Sequence, residues 1–307
     1  MAWMLSLAAA AALTSVQLPP TSAVIDRDRD GLDDRFEQRL IERFQPRFHV
    51  SSSDCAGRPS SFAPDVAEPT PVAQDGTIYA RVFPAERPGE PGAWVEVQYF
   101  HLWAHDCGWN SHPLDVEHVS ALVGAASAGA PAQGWTARHW YAAAHQATIC
   151  NASHGARAEA LDAVDRGADV WIAKGKHASY LQRGRCRWGC GTDRCPDTVA
   201  MQPAALVNIG ELGAPLNGAT WIASAGWPLA EQLRSDFTPA VVARIERAEH
   251  IVAVHDVGKM LKAFLMGTGT GARWLLQSQK EVRGGLGATF RAMGRAVVVT
   301  GRTIIGR

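Results

Sequence analysis

Residues 94–103 read Trp-Val-Glu-Val-Gln-Tyr-Phe-His-Leu-Trp, and this stretch decides the expected fold. Its aromatic and β-branched residues alternate with polar ones, as in a half-buried β-strand. Similar patterns predict strands over Ile78 to Phe83, Val116 to Val123 and Val170 to Lys174. Because the strands are short and separated by turn-rich stretches, the sequence predicts a mainly β protein, most simply a β-sandwich.

The segments around these strands have other compositions. Residues 46–93 are rich in proline, serine and glycine and predict a loop-dominated approach to the core. Ala156 to Val164 is expected to be helical. Pro239 to Met266 is expected to form a long helix that starts at a Thr-Pro cap, and Ala272 to Val282 a second one.

The composition excludes several classes of protein. The chain has 307 residues, of which 47% are hydrophobic, so it can bury a sizeable core and is not disordered throughout. Thirty basic residues balance thirty acidic ones. With no net charge to attract a polyanion, we expect no nucleic-acid partner.

The N-terminus resembles a secretory signal. The first 25 residues carry no charged side chain, and Trp3 to Leu13 is an apolar, alanine-rich run too short to span a bilayer. Small residues at 21–23 predict cleavage after Ala23, although the usual lysine or arginine at the start is missing. The alternative is a buried N-terminal helix, which Pro19 and Pro20 would end. We expect a secreted, periplasmic or cell-surface protein.

Residues 26–37 have the oxygen spacing of an EF-hand calcium loop. Carboxylates occupy loop positions 1, 3, 5, 9 and 12, the glycine needed for the sharp turn occupies position 6, and a backbone carbonyl occupies position 7. The predicted Ca²⁺ ligands are Asp26, Asp28, Asp30, Leu32, Asp34 and Glu37.

Apolar residues after this loop predict one exiting helix. Leu32, Phe36, Leu40 and Phe44 recur every four residues, and Pro46 ends the pattern. No entering helix precedes the loop, so the site resembles the short aspartate-rich loops of secreted bacterial proteins and would have a structural role. The alternative is a solvated acidic helix start without a cation.

Six cysteines in a secreted chain predict disulfides, but fifteen pairings are open. A zinc site made by the last three cysteines with His177 is the alternative, which an oxidising environment disfavours. The disulfide candidates are Cys55, Cys107, Cys150, Cys186, Cys190 and Cys195.

The C-terminal part is basic. In residues 238–307 eleven lysines and arginines stand against four acids, whereas the whole chain is neutral. This extension either contacts an anionic surface or packs as a helical layer on the acidic remainder. The predicted organisation is a signal peptide (1–23), a calcium loop and helix (24–45), a β-sandwich domain with a metal pocket (46–237) and a basic helical extension (238–307).

A second metal site is predicted where a turn enters the strand after residue 111. Asp115 and Glu117 are two residues apart, so their side chains leave the same face of a strand, and His112 precedes them in the turn. One nitrogen and two carboxylates suit Mg²⁺, Mn²⁺, Ca²⁺ or Zn²⁺. The alternative is a solvated strand surface.

The order of several short motifs resembles the vacuolar protein sorting-associated protein sixty-two family. The motifs are His112-Pro-Leu-Asp-Val-Glu-His-Val119, Ala144-His-Gln146 and Trp171-Ile-Ala-Lys-Gly-Lys-His-Ala-Ser-Tyr180. Val207-Asn-Ile-Gly-Glu211, Ala225-Gly-Trp227 and Glu42-Arg-Phe-Gln-Pro46 extend the resemblance over about Ile41 to Pro228.

The acidic strand is also similar to the metal-site motif of the necrosis- and ethylene-inducing-like cytolysins, a β-sandwich family. That resemblance implies that His112, Asp115 and Glu117 are metal ligands beside a glycolipid head-group pocket, with Asp106 as a further ligand. The chain departs from the motif at Val116, where tryptophan is usual. It also has Lys176 where serine often precedes the histidine.

Two lone histidines, His145 and His177, have three open interpretations. They are further ligands, acid–base groups, or buried histidines bonded to the backbone; the resemblance favours a position in or beside the pocket.

Three functions remain open from the sequence. The first is a secreted protein that recognises a sugar or lipid head group through a divalent cation. The second is a metal-dependent hydrolase in which His145 or His177 moves protons. The third is a calcium-stabilised cell-surface module without catalysis.

Overall fold

The structure, a computed structural model, describes residues 24–87, 89–107, 111–146, 151–188 and 193–254. The proposed signal peptide, Ala272 to Val282 and most of the basic extension lie outside these residues.

The mainly β class is confirmed. The helices are α1 (Asp34–Arg43), α2 (Leu229–Gln232) and α3 (Pro239–Glu246). The strands are β1 (Arg47–Ser51), β2 (Ser61–Phe62), β3 (Pro71–Ala73), β4 (Ile78–Pro84), β5 (Ala93–Asp106), β6 (His112–Ala125), β7 (Thr136–Ala142), β8 (His154–Arg157), β9 (Asp169–Ile172), β10 (Ser179–Tyr180), β11 (Thr198–Ala200), β12 (Leu206–Asn208), β13 (Gly210–Glu211), β14 (Ala214–Pro215) and β15 (Val252–Ala253).

The strand predicted from residues 94–103 is the centre of the larger sheet. Its seven strands run in the order β12-β4-β5-β6-β7-β8-β15. β5 and β6 are the longest and pair antiparallel, with Trp103 opposite Asp115 and His101 opposite Glu117. The paired strands therefore carry the predicted acidic residues to one end of the sheet.

A smaller sheet contributes to the same core. Its order is β10-β9-β1-β11. Phe48 of β1 and Val170 of β9 are buried in one cluster with Val97 of β5 and Val119 of β6. Side chains of both sheets thus share a core, as the expected sandwich requires, but the sandwich itself stays a prediction.

Residues 46–93 carry more strand than expected. β1 falls in this stretch, and its apolar residues Phe48 and Val50 are separated by His49, so the pattern is too short to stand out. The strand exists because it pairs with partners far along the chain, β9 and β11. Long-range pairing of this kind leaves no local signal.

The helix expected over Ala156 to Val164 is wrong. Ala156 and Arg157 belong to β8, and Ala158–Leu161 forms a single 3₁₀ turn. β8 pairs with β7, and this tertiary pairing outweighs the helical preference of an alanine-rich segment.

The helix expected over Pro239 to Met266 is correct only at its start. Thr238 caps α3 as expected, and its hydroxyl accepts a hydrogen bond from the Val241 N–H. The helix ends at Glu246, and β15 then pairs with β8. The β-branched residues at 251, 252 and 254 favour a strand, which adds to the open edge of the sheet.

Gly155 tests how α3 packs on β8. A Cβ at this position would lie 2.5 Å from Ile245 Cδ1 and 3.0 Å from the Trp140 carbonyl oxygen. We expect Gly155→Ala to lower the free energy of unfolding by about 1–3 kcal/mol, because the core cannot absorb an extra methyl group there. Urea unfolding measures this change. Gly129→Ala is the control, since no atom lies within 4 Å of its Cβ position; equal effects of the two variants would contradict this packing.

Candidate metal-binding sites

The N-terminal loop, residues 26–37, gathers its carboxylates around Asp28. Ligand atoms of Asp26, Asp28 and Asp34 lie within 4.8 Å of one another, and so do those of Asp28, Asp30 and Glu37. Asp28 belongs to both clusters. Five of the six predicted calcium ligands, all those with carboxylates, are therefore close together.

Local hydrogen bonds shape this loop. The Asp26 carboxylate accepts hydrogen bonds from the backbone N–H groups of Arg29 at 2.6 Å and Gly31 at 3.1 Å. Gly31 has φ +95°, a conformation that L side chains rarely adopt. Asp33 then caps α1 by accepting from two backbone N–H groups of its first turn. The helix expected after the loop is thus present.

Two carboxylates of the loop are buried with unpaired oxygens. Asp28 is 4% exposed and Glu37 0% exposed. Both oxygens of Asp28 and Oε1 of Glu37 lack a hydrogen-bond partner. Buried polar atoms are nearly always paired, so these oxygens indicate a missing partner.

Burial and mutual repulsion disfavour the charged forms of these groups. Burial, together with the charges of Asp30 and Glu211, raises the pKa of Asp28 to about 7. Burial and the charges of Asp28 and Asp30 raise the pKa of Glu37 to about 9. A divalent cation would reverse both shifts, because it stabilises the ionised oxygens. The residues present fit Ca²⁺, which takes six to eight oxygen ligands.

Arg27 neutralises part of the loop from outside. Its Nε lies 2.5 Å from Asp34 Oδ2, and its backbone N–H donates to Asp34 Oδ1. Asp34 therefore already has partners, unlike Asp28. Among the carboxylates, Asp28 and Glu37 have the greatest need of a cation.

The second site lies where β5 ends and β6 begins. As expected, Asp115 and Glu117 share one face of β6 and Val116 takes the other, where it packs against Phe100 and Leu102. We call Asp115, Glu117 and the neighbouring His177 the strand-end site. His177 comes from the turn between β9 and β10.

His177 is held between two carboxylates. Its Nδ1 lies 2.8 Å from Asp115 Oδ2, and its Nε2 lies 3.3 Å from Asp54 Oδ1. Its ring stacks on Trp103 at 3.8 Å between centroids. Burial opposes protonation, yet the bonds to Asp115 and Asp54 raise the pKa of His177 to about 9. Protonated His177 makes a hydrogen bond from each ring nitrogen, and the bond to Asp115 orients that carboxylate. Because both nitrogens are occupied in this way, neither is available to a metal ion.

Glu117 is the strand-end group with an uncompensated charge. It is 8% exposed, and no hydrogen bond joins its carboxylate to another described residue. Burial and the Asp115 charge raise its pKa to about 8. In contrast, the pKa of Asp115 stays below its usual value, because His177 outweighs the effect of burial.

Asp106 and His112, the other predicted ligands, form a neighbouring group. Asp106 Oδ2 lies 2.8 Å from Lys176 Nζ and 3.4 Å from His112 Nε2. His112 is 48% exposed, so its side chain has room to move. Among the described residues, none of the metal-ligating clusters of three contains His112, Asp115 or Glu117. The cluster at this end of the sheet joins Asp54, Cys107 and His177, but Cys107 is held in a disulfide.

His145 forms a further ion pair at this end of the sheet. Its Nε2 lies 2.7 Å from Asp193 Oδ2, which also accepts a hydrogen bond from the Tyr180 hydroxyl. Burial opposes ionisation of Asp193, but the charge and hydrogen bond of His145 keep its pKa below the usual value. The arrangement resembles a histidine oriented by a carboxylate for proton transfer.

Two disulfides fix the loops that carry these groups. Cys55 pairs with Cys107, so the bridge lies next to both Asp54 and Asp106. Cys186 pairs with Cys195, two residues after Asp193. The disulfide expectation is thus confirmed for four cysteines, and the alternative zinc site is wrong because two of its ligands are bonded to each other. Cys150 and Cys190 lie outside the described residues.

Three of the eight non-glycine residues with positive φ in the described part of the chain lie at this end of the sheet. Leu114, His145 and His177 have φ values of 58°, 54° and 51°. Left-handed conformations are uncommon outside glycine, and such residues cluster at functional sites. Leu114 immediately precedes Asp115, and His145 and His177 are themselves members of the ion pairs described above.

Sequence reasoning did not find Asp54 or Asp193. Neither belongs to a metal-ligand pattern, and both lie in loops far along the chain from the residues they contact. Each stands close to a cysteine that forms a disulfide, Cys55 and Cys195. That proximity is the one signal in the sequence that marks them.

Comparison with known proteins gives no matching family model and no matching curated protein. The resemblance to the vacuolar protein sorting-associated family therefore has no support. Among solved structures, a triple mutant of NLPPya is 14% identical, with 59% of this chain and 76% of that chain covered and a TM-score of 0.37. NLPPya in complex with glucosamine is 15% identical; the match covers 60% of this chain and 76% of that chain, with a TM-score of 0.33. NLPPya in complex with mannosamine is 13% identical, with 60% and 76% covered and a TM-score of 0.32.

These neighbours are toxin folds of the necrosis- and ethylene-inducing type, in line with the second resemblance. At such TM-scores the likeness is too distant to bear on the function of this chain. In the part of the chain that the structure describes, no helix has the length and apolar character of a membrane span.

Removal of Asp54 tests what the placement of His177 between Asp54 and Asp115, here called the His177 clamp, contributes to stability. We expect Asp54→Ala to lower the free energy of unfolding by about 3 kcal/mol, because it leaves a buried charge with one partner fewer. Chemical denaturation measures the change. Asp165→Ala alters an exposed carboxylate and is the control, with an expected effect within about 0.5 kcal/mol. A similarly small effect of Asp54→Ala would show that the clamp is not a stabilising element.

Proposed function

We propose that this is a secreted protein that recognises an oxygen-rich ligand, a sugar or lipid head group, through a divalent cation at the strand-end site. The observation that supports this most strongly is Glu117. Glu117 is a buried carboxyl group without a hydrogen bond, next to the ionised Asp115, and a cation between the two would stabilise its ionised form.

Glu117 and Asp115 would hold the cation. His177 already keeps Asp115 ionised and fixed in orientation. Residues that hydrogen-bond to a metal ligand commonly have this role. His112 lies at the exposed end of β6 and would reach the cation only after turning away from Asp106. The bound cation would supply an open coordination position for hydroxyl or phosphate oxygens.

Groups at the rim of the site suit a polar ligand. The Lys176 ammonium pairs with Asp106, and His112 stands beside the same carboxylate. Together they offer hydrogen-bond donors and one acceptor to a ligand on the cation, as sugar hydroxyls require.

Two features support secretion. The Cys55–Cys107 and Cys186–Cys195 disulfides persist in oxidising compartments. The apolar segment 1–23 has the composition of a signal peptide. Within the same proposal, Ca²⁺ at the N-terminal loop has a structural role. A contact between the basic extension, residues 238–307, and an anionic surface stays a prediction.

One observation favours a second function, metal-dependent hydrolysis. The His145–Asp193 pair has the form of a base with its orienting acid, and Glu117 lies close enough to influence it electrostatically. In this alternative His145 would accept a proton from a cation-bound water molecule. His177 is unsuited to that step because both of its nitrogens are bonded to carboxylates.

A binding assay with Glu117→Gln tests the proposed function. Chelator-treated protein is applied to a glycan array and to glycolipid vesicles, with Mg²⁺, Mn²⁺, Ca²⁺ or Zn²⁺ added separately. We expect binding in the presence of at least one metal ion and a loss of tenfold or more in Glu117→Gln, because the amide removes the charge that holds the cation. Glu231→Gln, a change on the exposed surface of α2, is the control and should bind like the wild type.

Binding that persists in chelator, or equal binding by Glu117→Gln, would contradict a cation-mediated site. Turnover of the bound glycan that disappears in His145→Asn would favour the hydrolase instead. Absence of binding under every metal condition would leave the structural module as the remaining function.

A further inference from the structure

The N-terminal loop is not an isolated unit, because it lies against the β12–β14 segment. α1 packs against β4 and β12. Gly210 of β13, with φ +64°, lies so near the loop that a Cβ there would come within 3.0 Å of Asp28 Cβ. The contact joins residues 26–37 to a segment more than 170 positions further along the chain.

Asn208 makes a direct bond to one of the loop carboxylates. Its Nδ2 donates to Glu37 Oε2 at 2.7 Å, in a fully buried position. The Asn208 side chain is itself fixed, since its Oδ1 accepts from the Gly210 N–H at 3.0 Å. Asn217 in turn donates to the Asn208 carbonyl at 2.7 Å. Glu37 thus has one oxygen held by the β domain and the other, Oε1, unpaired.

Glu211 adds a negative charge from the same segment. Glu211 directly follows Gly210, whose Cβ position lies 3.0 Å from Asp28 Cβ, so Glu211 is a spatial neighbour of the loop. Its nearest positive group is Arg81, with Nε 3.6 Å from Oε1, a distance beyond a hydrogen bond. Both atoms lack a hydrogen-bond partner.

Packing a fourth carboxylate beside Asp28, Asp30 and Glu37, each of which has at least one unpaired oxygen, is costly unless a cation is present. The charge of Arg81 is shared among the carboxylates of Glu211, Glu96, Asp236 and Asp30. It therefore does not neutralise Glu211, Asp28, Asp30 and Glu37 together. A divalent ion at the loop would compensate them and strengthen the contact between loop and sheet.

We propose that the β domain completes the calcium site. Asn208 positions Glu37 for coordination, and Glu211 supplies additional negative charge beside Asp28 and Asp30. A bound Ca²⁺ ion would then lock α1 and the N-terminal loop to the β12–β14 segment. This inference rests on the proposed calcium loop and adds positioning residues that the loop pattern does not contain.

Calcium titration calorimetry on the secreted protein, stripped with chelator, tests the inference. We expect Asn208→Ala to raise the Ca²⁺ Kd by about tenfold or more, as is typical when a group that orients a metal ligand is lost. Glu211→Gln should raise it about fivefold through loss of charge. Asn151→Ala and Glu159→Gln, at the opposite edge of the large sheet, are the matched controls and should leave Kd within twofold.

The outcomes separate this inference from the calcium loop itself. If Asp28→Asn abolishes binding while both Asn208→Ala and Glu211→Gln keep the wild-type Kd, the loop binds alone and the inference is wrong. If the wild-type protein binds no Ca²⁺, both proposals fail. Glu211→Gln keeps the test decisive if Asn208→Ala does not fold, because Glu211 is only partly buried.

Hydrogen exchange gives a second, independent readout. On addition of Ca²⁺ we expect slower amide exchange in residues 26–43 and also in residues 206–217, because the ion joins the two segments. Protection confined to residues 26–43 would contradict the proposal that Ca²⁺ joins the loop to the β12–β14 segment. The Glu211→Gln protein should show reduced protection of residues 206–217 at a Ca²⁺ concentration that saturates the wild type.

Discussion

A carboxylate that leaves water needs a positive charge, hydrogen-bond donors or a proton, and this protein buries carboxylates at several sites, among them the N-terminal loop, the strand-end site and the Glu96–Asp236 group. Asp115 receives a histidine cation from His177, and its pKa stays low. Asp28, Glu37 and Glu117 receive no comparable partner from the described residues, and their pKa values rise. Together with the unpaired buried oxygens of Asp28 and Glu37, this contrast supports the cations proposed for the N-terminal loop and the strand-end site.

The fold places both groups of acids by long-range pairing. The β5–β6 hairpin carries Asp115 and Glu117 to one end of the sheet, and the Cys55–Cys107 disulfide fixes the loop that brings Asp54 to His177. The N-terminal loop instead depends on β12 and its neighbours at the sheet edge, where Asn208 meets Glu37. The two disulfides suit an oxidising environment, which is consistent with the proposed secretion.

Local patterns in the sequence predicted some of this structure well. The alternation in residues 94–103 identified β5, and the two-residue spacing of Asp115 and Glu117 placed them on one face of β6. The EF-hand spacing brought together the carboxylates that cluster around Asp28. The clamp of His177 by Asp54 was not predictable, because it joins two loops 123 residues apart. The prediction of a long helix after Pro239 was wrong for the same physical reason, because residues 252–253 pair with β8 at the sheet edge as β15.

Anomalous diffraction from crystals grown with Ca²⁺, measured beside chelator-soaked ones, addresses the cation assignment most directly. We expect a calcium peak about 2.3–2.6 Å from oxygens of Asp28, Asp30 and Glu37, and a second metal peak in contact with Glu117 when the preferred ion is present. Ordered water in place of both peaks, with these carboxylates unchanged between the two kinds of crystal, would show that the protein tolerates their burial without a metal ion.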